Sequence, residues 1–276
     1  MILFIIFTIP FDYIFPGAGA KGLSTGSYFT ENDITSLWWN PANISGVNHS
    51  IYFDWTSLIQ TFNLLNGAIC FNIKNTNVGF GVNYFTSGDM PLNPEIEDTI
   101  IPENSGYFDV TERSLTLSIA RRLKFMDIGF SIRNYEQEML NFHGVGYGYD
   151  FGLTLKNKII LSLIFKDILN TEISWFGRMI DKIPQSTIFA LSIPYKYKYY
   201  KGIIESSILI QEKRSIFSIG SILTMRDIIS LRFGYSALRG FSSGISLDLS
   251  IFSLYYTIVN SNFEPTHIFG VEIKRR

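Results

Sequence analysis

The 276-residue chain holds a single cysteine, three histidines and few charges, and each shortage closes off a class of chemistry. One cysteine rules out an internal disulfide and any thiolate-rich metal site. Lying between Ile69 and Phe71, Cys70 reads as an apolar strand residue. His49, His143 and His267 are too dispersed to form a ligand cluster, so neither a metal nor a cofactor is expected. Charged residues reach only 17%, against roughly 25% in an ordinary soluble domain. The formal charge of −1, with the signs scattered, offers no basic face to a run of phosphates, which argues against nucleic acid as a partner. No G-x-S-x-G elbow supports a Ser/His/Asp arrangement, no catalytic residue stands out, and the chain does not read as an enzyme. No window supplies the roughly 20 apolar residues that a membrane-spanning helix needs.

What the chain has instead is apolar and aromatic residues, 46% and 16% of the total, in a period-two pattern. Leu115, Leu117 and Ile119 alternate with Ser114, Thr116, Ser118 and Ala120, and Ile128, Phe130 and Ile132 with Asp127, Gly129, Ser131 and Arg133. The pattern returns in Ile229–Tyr235 and Ile245–Leu249. Such alternation marks strands with one apolar and one polar face. Strands are predicted at 50–58, 65–74, 77–87, 111–122, 125–136, 146–156, 159–167, 185–194, 200–211, 215–225, 228–237, 242–250, 252–260 and 265–274. Their number, about 14, and their length, near ten residues, fit an all-β fold: a transmembrane antiparallel β-barrel crossing the bilayer at a tilt.

Connections at alternate junctions are short, whereas Gly88–Val110, Gln137–Val145 and Ile168–Pro184 fall in the other set, as periplasmic turns and outer loops do. Tyr52, Trp55, Tyr84, Tyr195, Tyr197, Tyr199 and Tyr200 lie near strand ends, where interfacial girdles sit. A soluble β-sandwich would also alternate, but its outer face would carry more Lys and Glu than the Ser and Gly found here. Four charged positions, Arg133, Glu205, Arg232 and Asp248, fall on the predicted lumen face, to line a pore or, more safely, to pair with one another.

Residues 1–20 read as an export signal: an apolar run ends in Pro16-Gly17-Ala18-Gly19-Ala20, although no Lys or Arg precedes it and Asp12 interrupts it. Gly17, Gly19 and Gly22 satisfy G-x-G-x-x-G, but no parallel strand–helix–strand unit follows, and a processing site with a flexible mature N-terminus fits better. The next segment is the most distinctive. Small residues, then Phe29, Asn32 and Asp33, then Trp39-Asn40-Pro41-Ala42, resemble the N-terminus of the PorV/PorQ proteins, which are similar to FadL-type outer-membrane transporters. The resemblance continues through Asp150-Phe151-Gly152-Leu153, Leu161–Asn170, Ile183-Pro184-Gln185, Leu231–Tyr235, Phe241–Leu247 and Pro265-Thr266-His267. It implies a 14-stranded barrel at 50–276 with residues 21–49 as a plug in or under the lumen. It further implies a place in the Gram-negative outer membrane among its lipids. Two roles follow from it: a type IX-like secretion component that handles secreted proteins, or a FadL-like channel for hydrophobic small molecules. The chain ends Lys274-Arg275-Arg276, without the terminal aromatic usual in barrel-insertion signals.

Overall fold

The computed structural model describes residues 19–26, 31–58, 62–88, 90–91, 107–140, 142–175, 179–212, 214–260 and 265–275. The expected export signal at 1–20 lies almost wholly outside them. Two short helices, α1 (Ala20–Thr25) and α2 (Ser36–Trp39), and a 3₁₀ stretch (Pro41–Gly46) precede the strands. The first half of the sheet is β1 (Ser50–Leu58), β2 (Phe62–Ile73), β3 (Thr76–Thr86), β6 (Val110–Arg122), β7 (Met126–Met139), β8 (Phe142–Lys156) and β9 (Ile160–Lys166). Two-residue strands β4 (Met90–Pro91) and β5 (Tyr107–Phe108) pair apart from it, between β3 and β6. After a small hairpin, β10 (Glu172–Trp175) and β11 (Met179–Lys182), the second half runs β12 (Ser186–Tyr197), β13 (Tyr200–Gln211) and β14 (Arg214–Met225). It ends with β15 (Ile229–Ser236), β16 (Gly240–Leu249), β17 (Phe252–Asn260) and β18 (Pro265–Lys274).

Fourteen of these strands form an antiparallel meander, which closes where β1 meets β18 from Ser50↔Lys274 to Ser57↔His267. Closure removes both sheet edges and excludes the β-sandwich. The faces are those of a protein turned inside out. Along β6, Ser114, Thr116, Ser118 and Ala120 are buried, while Leu115, Leu117 and Ile119 are 54%, 37% and 49% exposed. Phe80, Phe130, Phe189, Phe217 and Phe269 are exposed in the same way around the wall. A continuous apolar exterior over a polar interior is stable only against hydrocarbon, which defines a transmembrane barrel.

The core lies in the lumen. Ala20, Leu37, Trp38, Trp39 and Ile44 of the N-terminal segment pack with Tyr52, Cys70, Ile164, Ile188, Leu209 and Ile268 of the inner wall. All six connections at one end are of two or three residues, and the long segments between β3 and β6 and between β9 and β12 lie at the other, although β7–β8 and β13–β14 are joined there by two residues each. Lys74-Asn75 and Arg226-Asp227 take the left-handed conformation at two consecutive positions, the geometry of the tightest hairpins.

Several expectations are corrected. Gln137–Val145 is no loop, because β7 runs to Met139 and β8 starts at Phe142. Likewise β12 runs through Pro194 to Tyr197. Ile168–Pro184 contains the β10–β11 hairpin: β9 stops at Lys166, and the upper part of β8 pairs with β10 instead, from Ile173↔Gly146 to Trp175↔Gly144. Tyr52 is not a girdle residue; it points into the lumen and is buried.

Candidate functional site

The site is the junction between the N-terminal plug and the inner wall. It begins with Asn40, whose backbone is extended, as the following proline requires. Its side-chain Oδ1 accepts from Ala42 N at 3.1 Å, capping the 3₁₀ stretch, while its Nδ2 donates to Thr154 Oγ1 on β8 at 2.9 Å. Thr154 in turn donates to Asn43 Oδ1 at 2.9 Å. Trp39, Asn40, Pro41 and Ala42 are all buried in the lumen.

The wall admits this segment because its inward positions are bare. A Cβ on Gly152 would meet Asn40 Oδ1, and one on Gly129 would meet the backbone of Pro41 and Ala42. On β8 the inward positions from Gly144 to Gly152 are all glycine except Asp150, so β10 and the Asp167 turn also approach closely. α1 rests on the opposite wall, where Ser242 Oγ donates to Ser24 O at 3.0 Å and Thr257 Oγ1 to Ala20 O at 2.9 Å. Gly19 stands at the N-cap of α1 and Gly22 lies within it, against the Trp39 ring.

A buried ionic centre fastens the plug tip. Arg133 on β7 pairs with Asp150 on β8, and its Nη2 donates to the carbonyl of Trp38 at 3.1 Å. Lys166 Nζ donates to the same carbonyl at 2.8 Å. Two basic side chains thus donate to the carbonyl end of α2, where the helix leaves its acceptors unsatisfied. Tyr135 Oη and Thr171 Oγ1 donate to Asp167 Oδ1 at 3.3 and 2.7 Å, and Asp167 N donates to Asp150 Oδ1 at 3.0 Å.

A second centre holds α1. Lys21 pairs with Asp33 within the plug and with Glu272 on β18 at 3.1 Å, and Tyr255 Oη donates to Glu272 Oε2 at 2.7 Å. Burial opposes the charge on Lys21, but Asp33 and Glu272 outweigh it and hold its pKa well above the ordinary lysine value. Burial likewise opposes the charge on Asp33, yet Lys21 and the Thr35 hydroxyl and amide keep its carboxyl below the usual range. Ala20 N donates to Tyr52 Oη at 2.9 Å.

The four candidate lumen charges do not form one group. Arg133, Glu205 and Arg232 are buried, and Asp248 is half-buried. Mutual pairing fails for Arg133, whose partner is Asp150, and for Asp248, which pairs with Lys274 at 2.9 Å. Arg232 Nη1 donates to Ser246 Oγ at 2.9 Å. Sequence reasoning missed Lys21, and it met Asp33, Asp150, Lys166 and Asp167 only within the stretches of family resemblance, with no role assigned to them. The one legible trace was the alternating glycine run Gly144–Gly148, which marks a wall stripped for close approach.

Beyond the plug tip, one cross-strand row is polar: Asn66 Nδ2 donates to Asp54 Oδ1 at 2.6 Å, and Asn83 Nδ2 to Asn66 Oδ1 at 2.5 Å. On the outer face of the same strands lies an apolar groove of about 510 Å³, lined by residues that include Gly67, Phe80, Val82, Leu115, Leu117 and Ile132. The wall beneath it is closed, since β3 is paired from Thr76 to Thr86 with both β2 and β6. Among the described residues no group of His, Cys, Asp and Glu could hold a metal.

The molecule is thus an antiparallel 14-stranded barrel of outer-membrane type whose lumen is occupied by its own N-terminal segment. Among solved structures it is similar to the toluene transporter TodX of P. putida, with a TM-score of 0.69 at 10% identity, covering 95% of this chain and 99% of that one. The monoaromatic hydrocarbon channel CymD gives 0.61 at 12% identity, over 95% and 98%. A Pseudomonas aeruginosa FadL homologue gives 0.59 at 9% identity, over 93% and 98%. No family model matches the chain, and no curated protein does.

Proposed function

We propose that this protein is a FadL-like conduit for hydrophobic small molecules in the outer membrane of a Gram-negative bacterium. The observation that carries this reading is the barrel fold, similar along 95% of the chain to channels described for toluene and monoaromatic hydrocarbons. A lumen closed by packed tryptophans and ion pairs does not let polar solutes pass by bulk diffusion, as an open pore does. Passage therefore requires the plug to shift, and the reading is of a gated conduit. The continuous pairing of β3 leaves no lateral gap beside the outer groove in this state.

The experiment is uptake of radiolabelled toluene by cells that lack their own hydrocarbon channels. Expression of this protein should raise the initial rate several-fold while leaving uptake of a hydrophilic sugar unchanged. Equal toluene uptake with and without the protein would sink the proposal. The secretion role implied by the PorV/PorQ resemblance is the second reading. It is supported by the sequence resemblance alone, from Trp39–Ala42 on to Pro265-Thr266-His267. Recovery of exported proteins with the detergent-solubilised barrel would revive it.

A further inference from the structure

The formal charge of the chain is close to zero, but its charges are not evenly placed. Six connections form the tightly turned end of the barrel, and five of them carry a cation: Lys74, Lys124, Lys158, Lys198 and Arg226. Arg275 follows the last strand at the same end, and all six of these side chains are exposed. The nearby acids are already engaged: Asp127 by Arg122 and Lys156, Asp227 by Lys201 at 2.6 Å and Asp248 by Lys274 at 2.9 Å. None of the six takes part in an ion pair among the described residues.

Each turn cation has a large exposed apolar or aromatic neighbour, namely Ile73, Phe125, Ile159, Tyr199 and Ile228. Lys124 lies over the Phe125 ring at 5.1 Å, Lys198 over Tyr197 at 5.4 Å and Arg226 over Tyr199 at 5.9 Å. The β12–β13 hairpin, Tyr195–Lys201, concentrates the pattern as Tyr-Lys-Tyr-Lys-Tyr-Tyr-Lys. Its Ile193–Tyr197 stretch extends past the end of β9, whose first residue Ile160 meets Ser192.

A docked protein would call for such residues on one side of the rim. Here cation and apolar side chain recur around the circumference, so the matching partner is itself an annulus. At the end of an apolar belt that annulus is the lipid headgroup layer, where aromatic and aliphatic bodies enter the acyl boundary and the cationic tips reach phosphate. We infer that the short-turn rim binds anionic phospholipid headgroups of the periplasmic leaflet. This rests on the membrane reading above, with the short turns on the periplasmic side.

The test is native mass spectrometry of the detergent-solubilised full chain, titrated with phosphatidylglycerol or with phosphatidylethanolamine of identical acyl chains. The wild type should retain phosphatidylglycerol preferentially, the preference falling as ionic strength rises. The quadruple variant K124Q/K158Q/K198Q/R226Q should lose at least about tenfold of it, since each basic side chain at an anionic surface is worth about fivefold. Equal retention of the two lipids by the wild type, or an unchanged preference in the variant, overturns the inference. Unboiled gel mobility in SDS separates the two levels. A folded barrel runs ahead of its boiled form, so a mobility shift without lipid preference defeats only this inference, whereas no shift in the wild type defeats the membrane reading beneath it.

Discussion

Arg133 Nη2 lies 3.1 Å from the carbonyl oxygen of Trp38, across 95 residues of chain, and this bond ties the barrel wall to the tip of the plug. The same guanidinium is neutralised by Asp150, so wall, plug and the Asp167 turn share one buried centre.

Removing the acid should therefore be expensive. Asp150→Asn leaves the buried Arg133 without its carboxylate, and such a break costs about 3–5 kcal/mol. Urea unfolding in vesicles, followed by tryptophan fluorescence, should show that loss. The double variant R133M/D150L should recover a large part of it, and a double variant as weak as the single one would contradict this account.

Asn40→Ala removes both the cap on Ala42 N and the bond to Thr154, with an expected loss of about 0.5–2 kcal/mol from the cap alone. Limited proteolysis should cleave the 31–49 region faster while sparing the strands.

Gly129→Val places bulk where Pro41 and Ala42 lie, and overpacking of this kind costs about 1–3 kcal/mol. The wall is held by pairing along its length, so the plug should yield first. Planar-bilayer recordings should show conductance rising above that of the wild type, and an unaltered trace would mean the plug tolerates the insertion.

The Asp33 carboxyl is held below its ordinary value chiefly because Lys21 outweighs the effect of burial. Its contribution is thus complete above the unfolded aspartate pKa of about 3.9 and is lost as pH falls through the lower folded value. Plug protection from protease should stay constant from neutral pH to about 4.5 and decline in stronger acid. Asp33→Asn should remove that acid dependence and lower protection at neutral pH.

On the outer wall, Leu117→Arg puts a charge on the lipid face and should cost up to about 2–4 kcal/mol near the bilayer midplane. Leu117→Ala should assemble almost normally, as judged by heat-modifiable gel mobility. Equal behaviour of the two variants would argue that this face does not meet hydrocarbon.

The barrel was legible in the residues because a strand has a period of two and each wall has one wet and one apolar face. Leu115 to Ala120 alone shows which side chains meet lipid. Strand number and order followed, whereas the parity of short and long connections held only in part: the segments after β3 and β9 are long, but Gln137–Val145 is not a loop. Strand ends at Met139, Phe142 and Tyr197 did not follow, because the cross-strand pairing that extends them is invisible in polar stretches such as Glu136–Glu138. For Tyr52, the wrong face was assigned on residue type: a tyrosine at a strand end serves a girdle or a lumen equally well, and only strand parity and the Ala20 amide decide.

The amino-acid sequence by itself determined the class of fold, the apolar exterior and a turn at Asn40-Pro41, since each depends on near neighbours and on a fixed backbone period. Tertiary structure alone decided what fills the lumen and how it is held. Trp38 with Arg133 and Lys166, Lys21 with Asp33 and Glu272, and Asn40 with Thr154 mostly lie far apart along the chain. Their partnership depends on which inward positions the closed sheet brings to the same height, and on the glycines that leave room there for the plug.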